Sequence, residues 1–387
     1  MLSSPRSTVI LVFIAFGAVV GSHVGALPVI VKSAGVDPEY FGRTQSFAML
    51  AALFAVMAGG MLSRYYSHRT VMLTALPVCL AVLVYALTAG SPAAYLLSNL
   101  LLASSLSFLD LNMNAEGSEI EEELKRPVFN TYHAGVSLGF AASALAASYL
   151  SVNVSVMVPA LVATVFVLWA YYEVWRNIAD RVPHRKPETH SKTGLPKLRL
   201  TLIGLTIGLS NAAEITAMIW AGQLLAELKP ELLAYSGLGA AFFGLCGGAM
   251  RLWGDHLRQR FGDLRVVTSG LAMATFGFAV IGLQPGFAIA VAAFAAVGGG
   301  LGFVFPYLFA LAGKQAANQR AAAMGFASAI SGGPRFVIPW LFGLTATWYS
   351  ISTVFALAAV LTLATLLMIA FVLEQKRAPA IADAPLV

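Results

Sequence analysis

Apolar residues run along this chain in blocks of about twenty, each closed by a short polar or glycine-bearing turn, and about twenty is the length a helix needs to cross the hydrocarbon of a bilayer. Twelve such blocks can be marked, near 8–31, 43–63, 70–90, 94–115, 128–150, 155–176, 200–225, 232–252, 266–283, 287–312, 321–346 and 350–373. Their connections are short except for 177–199, which is rich in Arg, Lys, His and Pro and divides the blocks six and six. The pattern predicts an all-α membrane protein of 12 transmembrane helices in two six-helix halves, 1–176 and 200–387, joined by a solvated linker at 177–199. The first block is longer than a signal-peptide core and is followed by many like it, so it is read as a span retained in the mature chain.

Composition agrees with the pattern. The 387 residues are 58% hydrophobic and 11% charged, with a mean hydropathy of +0.78, whereas a soluble domain carries about 25% charged residues. Cys79 and Cys246 both lie in apolar blocks, which argues against a disulfide frame or a metal cluster, and no metal or cofactor is expected. The net charge of +6 acquires meaning from its placement. With the N-terminus inside, every Lys and Arg except Lys32, Arg43, Lys229 and Arg335 falls on the inner side, which orients the chain with both termini cytoplasmic in the cell inner membrane. The same dispersal over inner loops, without interleaved aromatics, accounts for the positive balance without nucleic acid.

The halves resemble repeats. Arg126 precedes Gly139 by the same interval as Arg320 precedes Gly333, and the turns after blocks two and eight are both short, basic and glycine-bearing: Gly60 to Arg64 with His68 and Arg69, then Gly254, Asp255, Arg258, Arg260 and Gly262. Paired six-helix halves with a site between them describe a large group of secondary transporters. At these residues the chain resembles the major facilitator superfamily over its whole length. That family's inner-loop signature is a Gly, then Asp-Arg, then Gly and two basic residues. The first loop keeps Gly60 and Arg69 but has Arg64 at the acid's place, while the second matches more closely through Arg260-Phe261-Gly262 and Arg265. Within the superfamily, 110–139 and 251–255 resemble bacterial permeases akin to fucose permeases. The resemblance implies alternating access, a central cavity lined in part by blocks one and seven, and gating contacts at Arg69, Arg251 and Asp255. The drug/proton antiporter signature is half absent, since Gly135 and Gly139 are followed by Phe140-Ala-Ala, and this favours symport.

Chargeable groups inside apolar blocks carry the candidate chemistry, because each costs roughly 2.5–3.5 kcal/mol at the centre of a membrane helix. Glu214, near the middle of block seven, is a candidate proton carrier or a structural acid bonded to a neighbouring helix. Arg335 is the one basic residue deep in a block; its planar fork suits a substrate carboxylate or an ion pair with Glu214 or Asp110. Asp110, Asn112 and Asn114 close block four, with 110 and 114 on one helix face. His133 and His23 titrate near neutrality, which suits proton coupling, and each also suits a packing role. Glu116, Glu119, Glu121, Glu122 and Glu123 meet Lys125 and Arg126 in what reads as one inner loop, either a gate through Glu116 and Arg126 or a solvated stretch. Gly135-Val-Ser137-Leu-Gly139 matches a nucleophile pattern, but that chemistry needs a strand-turn-helix, so the pentad reads as a close-packing face.

The residues therefore predict proton-coupled symport of a small polar or anionic solute by a monomer. Glu214, Asp110 and His133 handle protons, Arg335 holds charge, and Asn112, Asn114, Tyr132, His23, Asn211, Trp220 and Gln223 line the substrate. Export of a metabolite or drug is the alternative. A sensor would need a signalling domain larger than the inner loops, and an enzyme would need ligands or a nucleophile and base at usable spacing.

Overall fold

The computed structural model describes residues 4–125, 128–182, 194–316 and 319–374. Its helices are α1 (Pro5–Ser33), α2 (Pro38–Leu62), α3 (His68–Leu87), α4 (Pro92–Leu124), α5 (Phe129–Asn153), α6 (Val158–Asn177), α7 (Lys197–Leu228), α8 (Leu238–Phe261), α9 (Asp263–Gly282), α10 (Phe287–Leu301), α11 (Val304–Lys314), α12 (Arg320–Trp348) and α13 (Ile351–Glu374). A 3₁₀ turn, Pro230–Tyr235, precedes α8. The early helices begin where local chemistry dictates. Ser4, Asp37, Ser67 and Ser91 each accept a first-turn backbone N–H with their side chains, and a proline opens α1, α2 and α4.

Among the described residues eleven helical stretches are long and apolar enough to cross a membrane. α10 and α11 count together as one of them, and Arg320–Trp348, which carries Arg335 and two internal prolines, is not among the eleven. Block ten is broken at residues 302 and 303. Pro306 has no N–H to give Gly302, and its ring crowds that carbonyl, so the helix restarts one turn before the proline. Gly332, Gly333 and Pro334, in contrast, leave α12 continuous.

Block four was expected to end near residue 115, but α4 runs on to Leu124 and stops at Lys125 in a left-handed conformation, φ 51°. The acidic run is therefore helix, not loop. Glu121 reaches forward to take the backbone N–H groups of Val128 and Phe129, both at 2.7 Å, and so caps α5. At this same end, called here the linker end, Arg69 donates to the Trp175 carbonyl (2.9 Å) and approaches Asp180 at 3.7 Å. The Ser67 hydroxyl, aided by Thr70 and Arg69, holds the Asp180 carboxyl below its usual range.

Glycines set how closely the helices approach. A Cβ on Gly17, Gly21 or Gly25 of α1 would collide with the α5 backbone at Val136, Phe140 and Ala144. On its other side α5 meets α8, where a Cβ on Gly248 would stand 2.6 Å from Ser137 Cβ. The expected Gly135/Gly139 packing face is present, with Gly139 against the Ile14 backbone, whereas Gly333, its counterpart by spacing, has open space around it.

The end away from the linker is closed by similar approaches. Ser148 of α5 donates to the Ala234 carbonyl and accepts from the Gly237 N–H, both at 2.9 Å. Gly42 of α2 lies on α12, where a Cβ would come 2.6 Å from Gly343 Cα. Gly42→Val is accordingly expected to wedge α2 from α12, at a cost of about 1–3 kcal/mol of thermal stability. In a background lacking Cys79 and Cys246, it should raise labelling of a Gln45→Cys probe from that end. Unaltered labelling would remove Gly42 from the seal.

Candidate functional site

A cavity of about 520 Å³ lies between the helices toward the linker end, within the size range of small-molecule sites. α7 supplies Asn211, Glu214, Ile215 and Met218, which fall on one helix stripe. α4 adds Asp110, the start of α5 adds His133, α8 adds Arg251, and Phe305 and Phe309 of α11 form an aromatic wall.

Arg251 organises the polar side. Its Nη2 donates to Glu214 Oε1 at 3.0 Å and its Nη1 to Ser137 Oγ at 2.8 Å, so one guanidinium ties α8 to α7 and α5. Ser137 in turn donates to the His133 carbonyl at 3.2 Å. The Arg251 and Glu214 side chains are 22% and 17% exposed, sheltered enough for the pair to count yet open to the cavity. Asp110 is held by Asn114, whose Nδ2 donates to Asp110 Oδ1 (2.8 Å) and to its carbonyl (2.7 Å). Arg335 does not line the cavity, but it lies within Coulombic range of both Glu214 and Asp110, and its Nε is buried with no hydrogen-bond partner among the described residues. Asn211 Oδ1 is likewise buried and unpartnered.

The structure thus gathers Asp110, His133, Asn211 and Glu214, keeps Asn114 and Arg335 beside them, and separates the other expected lining residues. Asn112 is buried and binds His68 Nδ1 through its Oδ1 at 3.1 Å. Tyr132 is fully buried against Phe13, and Trp220 sits edge-on to Phe41 at 4.6 Å, so both are packing residues. Gln223 faces a separate recess of about 840 Å³ at the opposite end, with Lys32 and Glu227. His23 faces a third space, of about 210 Å³, with Gln45 and Asn99.

Of the expected gate residues, Arg69 and Glu116 meet partners from α3, α4 and the end of α6. Glu116 is buried near His68, Glu119 and Arg181, and Glu119 approaches His68 Nε2 at 3.5 Å. Arg126 and the Asp255 side chain lie outside the described residues. Arg251 was expected at an inner-loop gate and is found in the cavity instead, because α8 continues to Phe261 and places residue 251 well inside the helix. Sequence reasoning missed this and the role of Ser137; the available signal was the arginine's position at the edge of an apolar block whose helical spacing continues past it. In the second half the basic turn closes on itself, with Arg258 bonding Asp263 at 2.7 and 3.1 Å and Lys314 at 3.8 Å from the same carboxylate.

Comparison with known proteins fits this architecture. The chain is 24% identical over 320 residues to an uncharacterised MFS-type transporter of Yersinia pestis, covering 81% of each chain. It is 26% identical over 311 residues to an uncharacterised transporter of Sinorhizobium fredii, covering 78% of this chain and 80% of that one. Among solved structures it is similar to a mutant of the nucleoside transporter NupG, with a TM-score of 0.74 at 15% identity over 95% of this chain and 100% of that one. It is also similar to the human organic anion transporter MFSD10, with a TM-score of 0.64 at 16% identity over 94% and 98%. The likeness to fucose permeases is minor beside these. The Major Facilitator Superfamily model matches residues 8–337. With its multi-pass helical bundle and central cavity, the chain belongs to the Major Facilitator Superfamily and is a membrane transporter of small molecules rather than an enzyme.

Proposed function

We propose that the protein takes up a small organic anion by proton-coupled symport, acting as a monomer in the cell inner membrane with both termini cytoplasmic. In this reading twelve spans form two six-helix halves, 1–176 and 200–387, which rock about the cavity while the 177–199 segment links them. The observation that carries the proposal is the meeting of two carboxylates, Glu214 and Asp110, with the Arg251 guanidinium around one sheltered space, while Arg335 lies outside the lining but within Coulombic range of both acids. Two acids and two cations among apolar helices give an exchangeable charge set: a substrate carboxylate can take the Arg251 fork only if Glu214 gives it up. Glu214, displaced from its cation, is the group assigned to carry the proton. Proton and anion thus load together, and the site carries no added net charge across the bilayer. The closed end beyond the cavity corresponds to a state open toward the cytoplasm.

Arg335 supplies a standing positive field that offsets Asp110. Arg335→Ala is expected to weaken binding of carboxylates through the loss of that field, by less than a direct charged hydrogen bond would cost, while binding of neutral analogues holds. Equal affinity for a carboxylate panel in both proteins, measured by isothermal titration, would remove Arg335 from substrate recognition. The function itself is tested in liposomes by uptake of organic anions under an imposed pH gradient. Accumulation should follow the proton gradient inward, and outward-directed movement alone would make the protein an exporter.

A further inference from the structure

The space that holds His23 is separated from the main cavity by a thin wall. Ile215 and Met218 of α7 each line both spaces, so the two chambers abut across these two side chains. Their chemistry differs. The main cavity is bordered by Asp110, Glu214 and Arg251, whereas the second chamber has no Asp, Glu, Lys or Arg among the described residues of its lining.

Its polar groups are His23, Gln45, Asn99 and Ser107. Each of the first three is more than nine-tenths buried: His23 and Gln45 are 7% exposed and Asn99 5%. Gln45 Nε2 rests on the Tyr95 hydroxyl at 3.2 Å and Asn99 Nδ2 on the Tyr95 carbonyl at 2.8 Å, so both amides are held in place. His23 Nδ1 is buried and has no partner among the described residues. A buried polar atom left unpaired is unfavourable, and this one borders an enclosed space in which a hydrogen-bonding group would relieve it. A charged group entering here would lose its water without meeting a counter-ion, so the chamber selects against ions. At about 210 Å³ it has room for roughly seven waters' share of volume, enough for a small polar head.

We propose that the transported anion is bipolar, with its carboxylate at the Arg251 end and an uncharged hydrogen-bonding head, of primary-amide type, in the His23 chamber. This rests on the anion reading above and adds what the other end of the substrate must be. The head exchanges a hydrogen bond with His23 Nδ1 and meets the fixed amides of Gln45 and Asn99. Passage from one compartment to the other requires Ile215 and Met218 to yield, so the head selects before the bundle rocks.

The test uses purified full-length protein and a homologous series of ω-carbamoyl alkanoates, from succinamate to suberamate. Each is compared with the dicarboxylate and the methyl-ended monocarboxylate of the same length. Titration should show one chain length at which the carbamoyl compound binds roughly threefold to tenfold more tightly than either mate, the worth of one hydrogen bond. His23→Phe should abolish that preference, so that the carbamoyl compound binds no more tightly than the methyl-ended compound of the same length. Asn99→Leu, checked for folding by thermal unfolding, provides the second variant. Equal affinity for all three compound classes in the wild type overturns the proposal, as does a carbamoyl preference that survives both substitutions. If Arg251→Gln leaves every affinity unchanged while neutral diamides still bind in a His23-dependent way, the chamber stands and the anion reading falls.

Discussion

Arg251→Gln is expected to abolish transport and lower thermal stability together, because the guanidinium both faces the cavity and joins three helices. The substitution leaves Glu214 Oε1 without its cation at 3.0 Å and Ser137 Oγ without its donor at 2.8 Å. Losing hydrogen bonds to charged groups costs about 1.5–3 kcal/mol, and the α5–α7–α8 junction loses its only shared ionic tie among the described residues. Arg251→Lys separates the two roles. It retains the charge but lacks the planar fork that reaches two partners, so it should recover part of the stability and little of the uptake. Proteoliposomes give the uptake and thermal unfolding gives the stability. Wild-type uptake by the glutamine variant would show that the cavity works without this cation.

Glu214→Gln is expected to have a different signature. The amide still accepts a hydrogen bond from Arg251 and is nearly isosteric, so folding and binding should persist. What it cannot do is gain and lose a proton. Uptake driven by an inward proton gradient should therefore fall to the level of empty liposomes, while exchange of labelled for unlabelled substrate across the same membrane continues. The pH dependence follows from the same step. Wild-type uptake should rise as the substrate side is acidified, since proton and anion load together, and the variant's exchange rate should be flat over that range. Gradient-driven accumulation by the variant would transfer the coupling role to Asp110, whose carboxylate is held only by Asn114 among the described hydrogen bonds.

The helical layout was legible because bilayer thickness imposes a minimum length on every block, and among the described residues eleven of the expected spans are present by length and composition. Glu214, Asp110, His133 and Asn211 were legible for a related reason: a polar group in an apolar block is conspicuous wherever it points. Direction was the part that could not be read. Trp220 and Gln223 follow Glu214 on the same helix, yet one packs on Phe41 and the other looks into a recess at the far end, because which face meets which neighbour is settled by helices distant in sequence. Arg251 was misread for a boundary reason. The apolar character of its block fades near residue 252 while the helix persists to Phe261, so a residue of the bundle interior resembled one of a loop. The acidic run of α4 was misread in the same way, since hydropathy reports the membrane's edge and hydrogen bonding decides where the helix ends.

Gly17, Gly21 and Gly25 bring α1 onto α5 so tightly that no methyl group fits between them. During synthesis, α1 leaves the ribosome about a hundred residues ahead of the helix it fits. Until α5 follows, a strip of bare backbone on α1 has only lipid tails against it, which pack poorly into so narrow a groove. α1 thus enters the bilayer as an unfinished surface, and the nascent chain stays dependent on whatever shelters that strip until α5 arrives to close it.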